Sequence, residues 1–205
     1  MSKNIEAKYR LLISRIFLII VVFLLLLSDN KVNNWSPAYT WLEFFGYSLG
    51  LVGIIGRIWS SLFIEGYKTK TLITKGPYSL MRNPLYFFSF ILLIGFCLFI
   101  KSIIIFIIFL IIWILIYRKT MNNEESNLIS NHDKDYMIYF NKTPKILPNF
   151  NLYRSLNKNE KMNIHIFKVE RVLKESFGFL FLFGLIKLIE FLQLNGILPV
   201  YFHLI

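Results

Sequence analysis

Cysteine, histidine and negative charge are all scarce in this chain of 205 residues. The single cysteine, Cys97, lies in an apolar run, which excludes an intrachain disulfide. The three histidines, His132, His165 and His203, lack the spacing of metal ligands, so no metal is expected. Twelve acidic residues stand against 23 lysines and arginines, a formal net charge of +11. Such a balance can mark a nucleic-acid partner, but here the basic residues flank apolar segments and form no basic domain of their own. No nucleic acid is therefore expected. Proline is sparse as well, at six, and two of the six fall within one short polar stretch.

What the chain does have is hydrophobicity. Apolar residues make up 56% and the mean hydropathy is +0.55, too high for a soluble domain. The reading is an all-α, polytopic integral membrane protein of about five transmembrane helices. Leu11 to Leu27 is apolar apart from Ser14 and Arg15, ~25 Å of helix, with Arg15 reaching the interface. No small-residue cleavage site follows, so an anchor is preferred to a signal peptide. Trp35, Tyr39 and Trp41 form an interfacial cluster, and Phe44 to Phe63 is the second span. This span carries Arg57, a functional candidate at membrane depth; with Glu65 and Lys68 close by, an arginine reaching the interface is preferred. Leu85 to Ile100 and Ser102 to Tyr117 would make ~50 Å as a single helix, so a hairpin turning at Lys101-Ser102 is expected. Ser176 to Leu194 is the last span, with Lys187 and Glu190 spaced to pair on one face. In this arrangement nineteen of the 23 basic residues fall on one side, against Lys31 and Lys101 on the other. The excess places the N-terminus and both long polar stretches in the cytoplasm.

The first polar stretch is Leu72 to Tyr86, containing Gly76-Pro77-Tyr78 and Arg82-Asn83-Pro84-Leu85-Tyr86. Gly-Pro interrupts regular structure, and Pro84 starts a helix without loss of a hydrogen bond. The N–H groups of that first turn, beside Arg82, suit a carboxylate. Tyr78 and Tyr86 offer aromatic faces to a cation or a flat ring. The second stretch runs from Arg118 through Glu124-Glu125 and Leu128 to Tyr136, Tyr139 and Leu147-Pro148. Taken alone, the first is a basic loop that starts a helix and the second a solvated helix start. Together, in order and spacing over about residues 45–150, they resemble the isoprenylcysteine carboxyl methyltransferase and phospholipid methyltransferase superfamily. The family histidine before the proline is Asn83 here, which cannot carry a proton at neutral pH.

The resemblance implies that residues 1–150 are a membrane methyltransferase domain with core motifs in 70–150. Residues 151–205 then add a basic cytosolic linker and a C-terminal membrane helix. It implies S-adenosylmethionine as cofactor, bound in a cytosolic pocket, and a membrane lipid or other lipophilic acceptor arriving from the bilayer. Cofactor contacts carry over to Lys70, Thr71, Leu72, Ile73, Tyr78, Asn83, Pro84, Leu85, Tyr86, Glu124 and Glu125. The catalytic set carries over to Arg118 on the acceptor side, with Tyr86 and Arg82. A carboxylate acceptor is already ionised and needs no base, whereas a thiol or amine does. With no obvious base in these stretches, a carboxylate is favoured, as in isoprenylcysteine O-methylation. The alternatives are an NADPH-dependent membrane reductase of related fold and a non-catalytic membrane protein.

Overall fold

A computed structural model describes residues 19–30, 36–64, 72–154 and 166–204. Residues 11–18 of the expected first span, with Trp35, Glu65, Lys68, Lys70 and Thr71, lie outside them. The fold is all-α. Helix α1 covers residues 19–27 and leads into a three-residue strand, β1 (Ser28–Asn30). Helix α2 is Pro37–Ile64, α3 Pro77–Leu80, α4 Pro84–Ile100, α5 Ile103–Lys142 and α6 Ile166–Leu194, and β2 (Phe202–Leu204) pairs in parallel with β1. Three of these helices carry windows long and apolar enough to cross a membrane, and α4 is a shorter apolar one.

Two elements are longer than hydropathy suggests. Helix α2 starts at Pro37 rather than Phe44, with Pro at the first helical position and the Ser36 carbonyl accepting from Tyr39 N–H. Helix α5 does not stop at Tyr117 but runs 40 residues to Lys142, ~60 Å, twice the hydrocarbon thickness. Its polar half is rich in Lys, Glu, Met and Asn and meets no proline until Pro144. The hairpin turns at the expected place. Lys101 caps α4 in the left-handed region (φ 61°) and Ser102 Oγ accepts from Ile105 N–H to start α5.

Helices α2 and α4 form the tightest seam. Gly46, Gly50 and Gly53 of α2 face Leu92, Gly95 and Phe99 of α4, and a Cβ on Gly95 would stand 2.6 Å from the Gly50 nitrogen. Small residues let the two backbones approach, which gives dispersion contact where lipid offers no hydrophobic drive. Phe183 of α6 closes the seam, stacked on Phe96 at 4.2 Å and edge-on to Phe99 at 5.0 Å.

Four alternating charges tie the end of the bundle near the hairpin. Lys101 and Lys187 each pair with both Glu43 and Glu190, and the Lys101 side chain is nearly enclosed. The Lys187–Glu190 pair is the one expected from spacing. Gln193 adds three hydrogen bonds to the carbonyls of Leu25, Leu26 and Ser28, fixing α6 to the end of α1. With this end pinned, the opposite end is free to build a site.

Candidate functional site

The opposite end gathers both polar stretches. Residues 76–83 are flanked by residues 144–154 running the other way. Gly76 N–H donates to the Arg154 carbonyl, Asn149 N–H to Leu80, Arg82 N–H to Pro144 and Asn83 N–H to Lys145. Ser79 Oγ accepts from Arg154 N–H. The Gly-Pro and Asn-Pro turns cannot satisfy their own backbone, so an extended partner does it for them.

Glu125 lies at the centre. It is 8% exposed, and both carboxylate oxygens have protein partners. Oε1 accepts from Asn83 Nδ2 at 3.1 Å and lies 3.2 Å from Arg82 Nε. Oε2 is 3.1 Å from Lys145 Nζ. Asn83 Nδ2 also donates to the Lys145 carbonyl at 3.2 Å. One amide nitrogen thus serves two acceptors, which a single nitrogen of a neutral imidazole cannot do. Arg82 anchors further along α5, donating to the Phe140 carbonyl at 2.6 Å with its guanidinium 3.8 Å from the centre of the Phe140 ring. The neighbouring acid diverges. Glu124 is exposed, turned ~100° around the helix from Glu125.

Tyr136 and Tyr139 lie close enough to the carboxylate to feel its charge. Tyr139 Oη donates to the Tyr78 carbonyl at 2.7 Å. Tyr136 is fully buried and its hydroxyl has no hydrogen-bond partner among the described residues. Burial first, then the Glu125 carboxylate, push the Tyr136 phenol up to about 12, against the opposing pull of Arg82. Tyr139 is raised further, by burial and by its neighbours Tyr136 and Glu125. Both stay neutral well above neutral pH. Tyr86 is buried, its ring 5.2 Å from that of Tyr117. Arg118 follows Tyr117 where the apolar run of α5 ends, and its side chain is exposed.

Of the expected site residues, Tyr78, Arg82, Asn83, Pro84, Leu85, Tyr86 and Glu125 belong to this one assembly, with Leu72 and Ile73 half-buried just before it. Arg118 and Glu124 sit on its exposed margin. Lys145 was missed, because half of its contribution is a backbone carbonyl that no residue type announces. An open depression of about 590 Å³ beside the assembly is lined by Arg82, Phe140, Thr143, Lys145, Leu147 and Asn149. None of the expected cofactor contacts borders it.

The assembly suits a nucleoside sulfonium in its donor set: aromatic faces, a carboxylate, an amide and a helix start. The orphaned Tyr136 hydroxyl is the observation that favours a polar guest, because an enclosed donor without a partner costs ~1–3 kcal/mol. His132 Nε2 is likewise buried without a partner, one turn back on the same face of α5.

Residues 40–134 match the phospholipid methyltransferase family. The nickel-cobalt-cadmium resistance protein NccN of Alcaligenes xylosoxydans xylosoxydans is 27% identical over 198 residues, covering 95% of this chain and 89% of its own length. The cobalt-zinc-cadmium resistance protein CzcN of Cupriavidus metallidurans is also 27% identical, covering 95% of this chain and 88% of its own length. No solved structure gives a significant match. Over residues 40–134 the chain is therefore similar to the phospholipid methyltransferase family, within the isoprenylcysteine carboxyl methyltransferase/phospholipid methyltransferase superfamily of membrane enzymes.

Proposed function

We propose that the protein is an S-adenosylmethionine-dependent methyltransferase that acts on a lipophilic acceptor at the cytosolic face of the membrane. The observation that carries this reading is the meeting of Asn83 and Arg82 with Glu125, 42 residues apart at the nearest. When bound, S-adenosylmethionine supplies an electrophilic methyl group on a positively charged sulfur.

The chain's own part is positioning. Tyr86 and Tyr78 present aromatic faces to a cation or an adenine ring. The first turn of α4, Pro84-Leu85-Tyr86, offers backbone N–H groups to a carboxylate. Glu125 is the acid that turns inward, so it and not Glu124 accepts from ribose hydroxyls or an ammonium. Leu72 and Ile73, continuing from Lys70 and Thr71, supply the apolar wall. Arg82 acts through Glu125 and Phe140, holding the two stretches in register. Arg118, at the bilayer edge, takes an anionic group of the acceptor in a bidentate fork.

Alignment of donor and acceptor alone can supply ~7–11 kcal/mol of a barrier, so an enclosure that adds no proton transfer is sufficient. Tyr136 and Tyr139 are held neutral and offer no base at neutral pH. That supports an acceptor already ionised, and a carboxylate is the simplest, as in isoprenylcysteine O-methylation. The relatives' names describe resistance to cobalt, zinc, nickel and cadmium. Among the described residues no three His, Cys, Asp or Glu side chains converge on a metal position, and the reading adds no metal step.

Calorimetry on detergent-purified protein tests the reading. S-adenosylmethionine should bind, and Glu125→Ala and Tyr86→Ala should each weaken it about tenfold or more, the scale of one charge-assisted or cation–π contact in a dry site. Unchanged affinity in both variants overturns it. Mass spectrometry of membrane lipids, with and without the protein, then identifies the acceptor by one added methylene.

A further inference from the structure

A second ionised group lies inside the bundle, and the methyltransferase reading does not use it. Arg57 sits seven residues before the cytosolic end of α2, ~10 Å below it. Its Nη1 donates to Ser89 Oγ on α4 and its Nη2 lies 3.3 Å from Glu175 Oε2 on α6. The Phe179 ring is 5.5 Å from the guanidinium carbon. Ser89 in turn donates to the Leu85 carbonyl at 2.7 Å. Three helices therefore converge on one cation.

The contact between Arg57 and Glu175 is long for a charge-assisted bond and partly open to solvent: Glu175 is 46% exposed and the Arg57 side chain keeps 20% of its surface. Glu175 also lies only three residues inside the apolar part of α6, which begins at Val172. This is the depth at which lipid phosphates and carboxylates reside and at which a lone arginine reaches for them. The sequence alone favours such an arginine, and the structure shows a protein carboxylate in the place of the lipid anion.

We propose that Arg57, with Ser89 and Phe179, forms a binding site for the oxyanion of an inner-leaflet amphiphile, and that Glu175 is its displaceable internal substitute. A guanidinium has five N–H donors in a planar fork, and the contacts to Ser89 and Glu175 leave capacity for a phosphate or carboxylate. Arrival of the anion moves Glu175 to solvent, which its exposure already permits. The Arg57–Ser89–Leu85 chain links occupancy to the first turn of α4, where the cofactor assembly begins.

Native mass spectrometry of the full-length protein in detergent gives the test. Three probes are titrated: dioleoylphosphatidylglycerol, oleate and dioleoylglycerol, which has the tails but no oxyanion. Phosphatidylglycerol, oleate or both should bind more tightly than dioleoylglycerol, and which of them binds tells phosphate from carboxylate. Arg57→Gln should weaken that binding about tenfold or more. Glu175→Gln should strengthen it severalfold, since it removes the competing charge. A purely structural ion pair predicts the opposite for Glu175→Gln: lower stability and no gain in binding. Equal binding of dioleoylglycerol, or an unchanged or weaker affinity in Glu175→Gln, overturns the proposal. The Glu175 variant decides even if Arg57→Gln fails to fold.

Discussion

Glu125 is a carboxylate with three protein donors in place and acceptor capacity left on Oε2, and this determines what its neighbours can do. Asn83, Arg82 and Lys145 supply it with donors from two segments, so removing it would leave Arg82 buried without its counter-charge. Tyr136 is enclosed beside that charge and must stay protonated. Its folded value is about 12, above the ordinary 10 of an unfolded tyrosine. A group that holds its proton longer when folded adds nothing to the pH dependence below pH 10; its contribution is lost as pH rises from about 10 through 12. Thermal unfolding in detergent should therefore show a falling alkaline limb, and Tyr136→Phe should flatten it while raising the midpoint near pH 7, since it removes an unpartnered buried hydroxyl. An alkaline limb of equal steepness in Tyr136→Phe would refute the assignment. Residue types made Arg82, Asn83 and Glu125 legible in the sequence, because Arg-x-Pro-x-Tyr and Glu-Glu are unusual next to apolar runs. They could not reveal which of the two acids turns inward, because α5 had first to be recognised as continuous through both. The roles of Lys145 and Arg154 were hidden for a different reason. They contribute main-chain groups to the flanking segment, and any residue carries those.

At the level of elements, the site depends on how closely α2 approaches α4, since α4 begins at the cofactor turn. Gly95 packs its bare Cα against Gly50 and Gly46, with backbone atoms at 2.6 and 2.7 Å from where a Cβ would stand. Backbone cannot give way as a flexible side chain can. Gly95→Ala should thus separate the helices and cost about 1–3 kcal/mol, read as a lower unfolding midpoint in detergent. Gly184 on α6 has nothing within 4 Å of its own Cβ position, and Gly184→Ala should be neutral or up to ~1 kcal/mol stabilising through helix propensity. Equal effects of the two substitutions would show that the seam is not what holds the pair. The hairpin at Lys101 was readable from length alone, since no helix of 33 apolar residues fits a bilayer. The true extent of α5 was not, because an apolar window ends where polarity begins, whereas helix propensity continues to Pro144.

Considered whole, the molecule has two ends of different character, and their charge supports the proposed orientation in the membrane. One end holds β1, β2, the Lys101 turn and the Glu43–Lys101–Glu190–Lys187 ring, in which two cations and two anions cancel. The other holds the Glu125 assembly and the polar half of α5, with the exposed Arg118, Lys119, Lys134 and Lys142 among the described residues. Lysines and arginines next to spans are retained in the cytoplasm during insertion, which supports the proposed placing of the Glu125 end on the cytosolic side. It also gives the proposed acceptor site first contact with the anionic inner leaflet. Because Cys97 is buried and alone, a Cys97→Ser background is well suited to accessibility labelling. Asn195→Cys lies in the turn after α6, at the neutral end, and Ser126→Cys on the exposed face of α5 near Glu125. A membrane-impermeant maleimide should label Asn195→Cys in intact cells and Ser126→Cys only after lysis. The reverse pattern would put the tyrosine-lined assembly outside the cell, where S-adenosylmethionine is not made, and the methyl-transfer reading would fall with it.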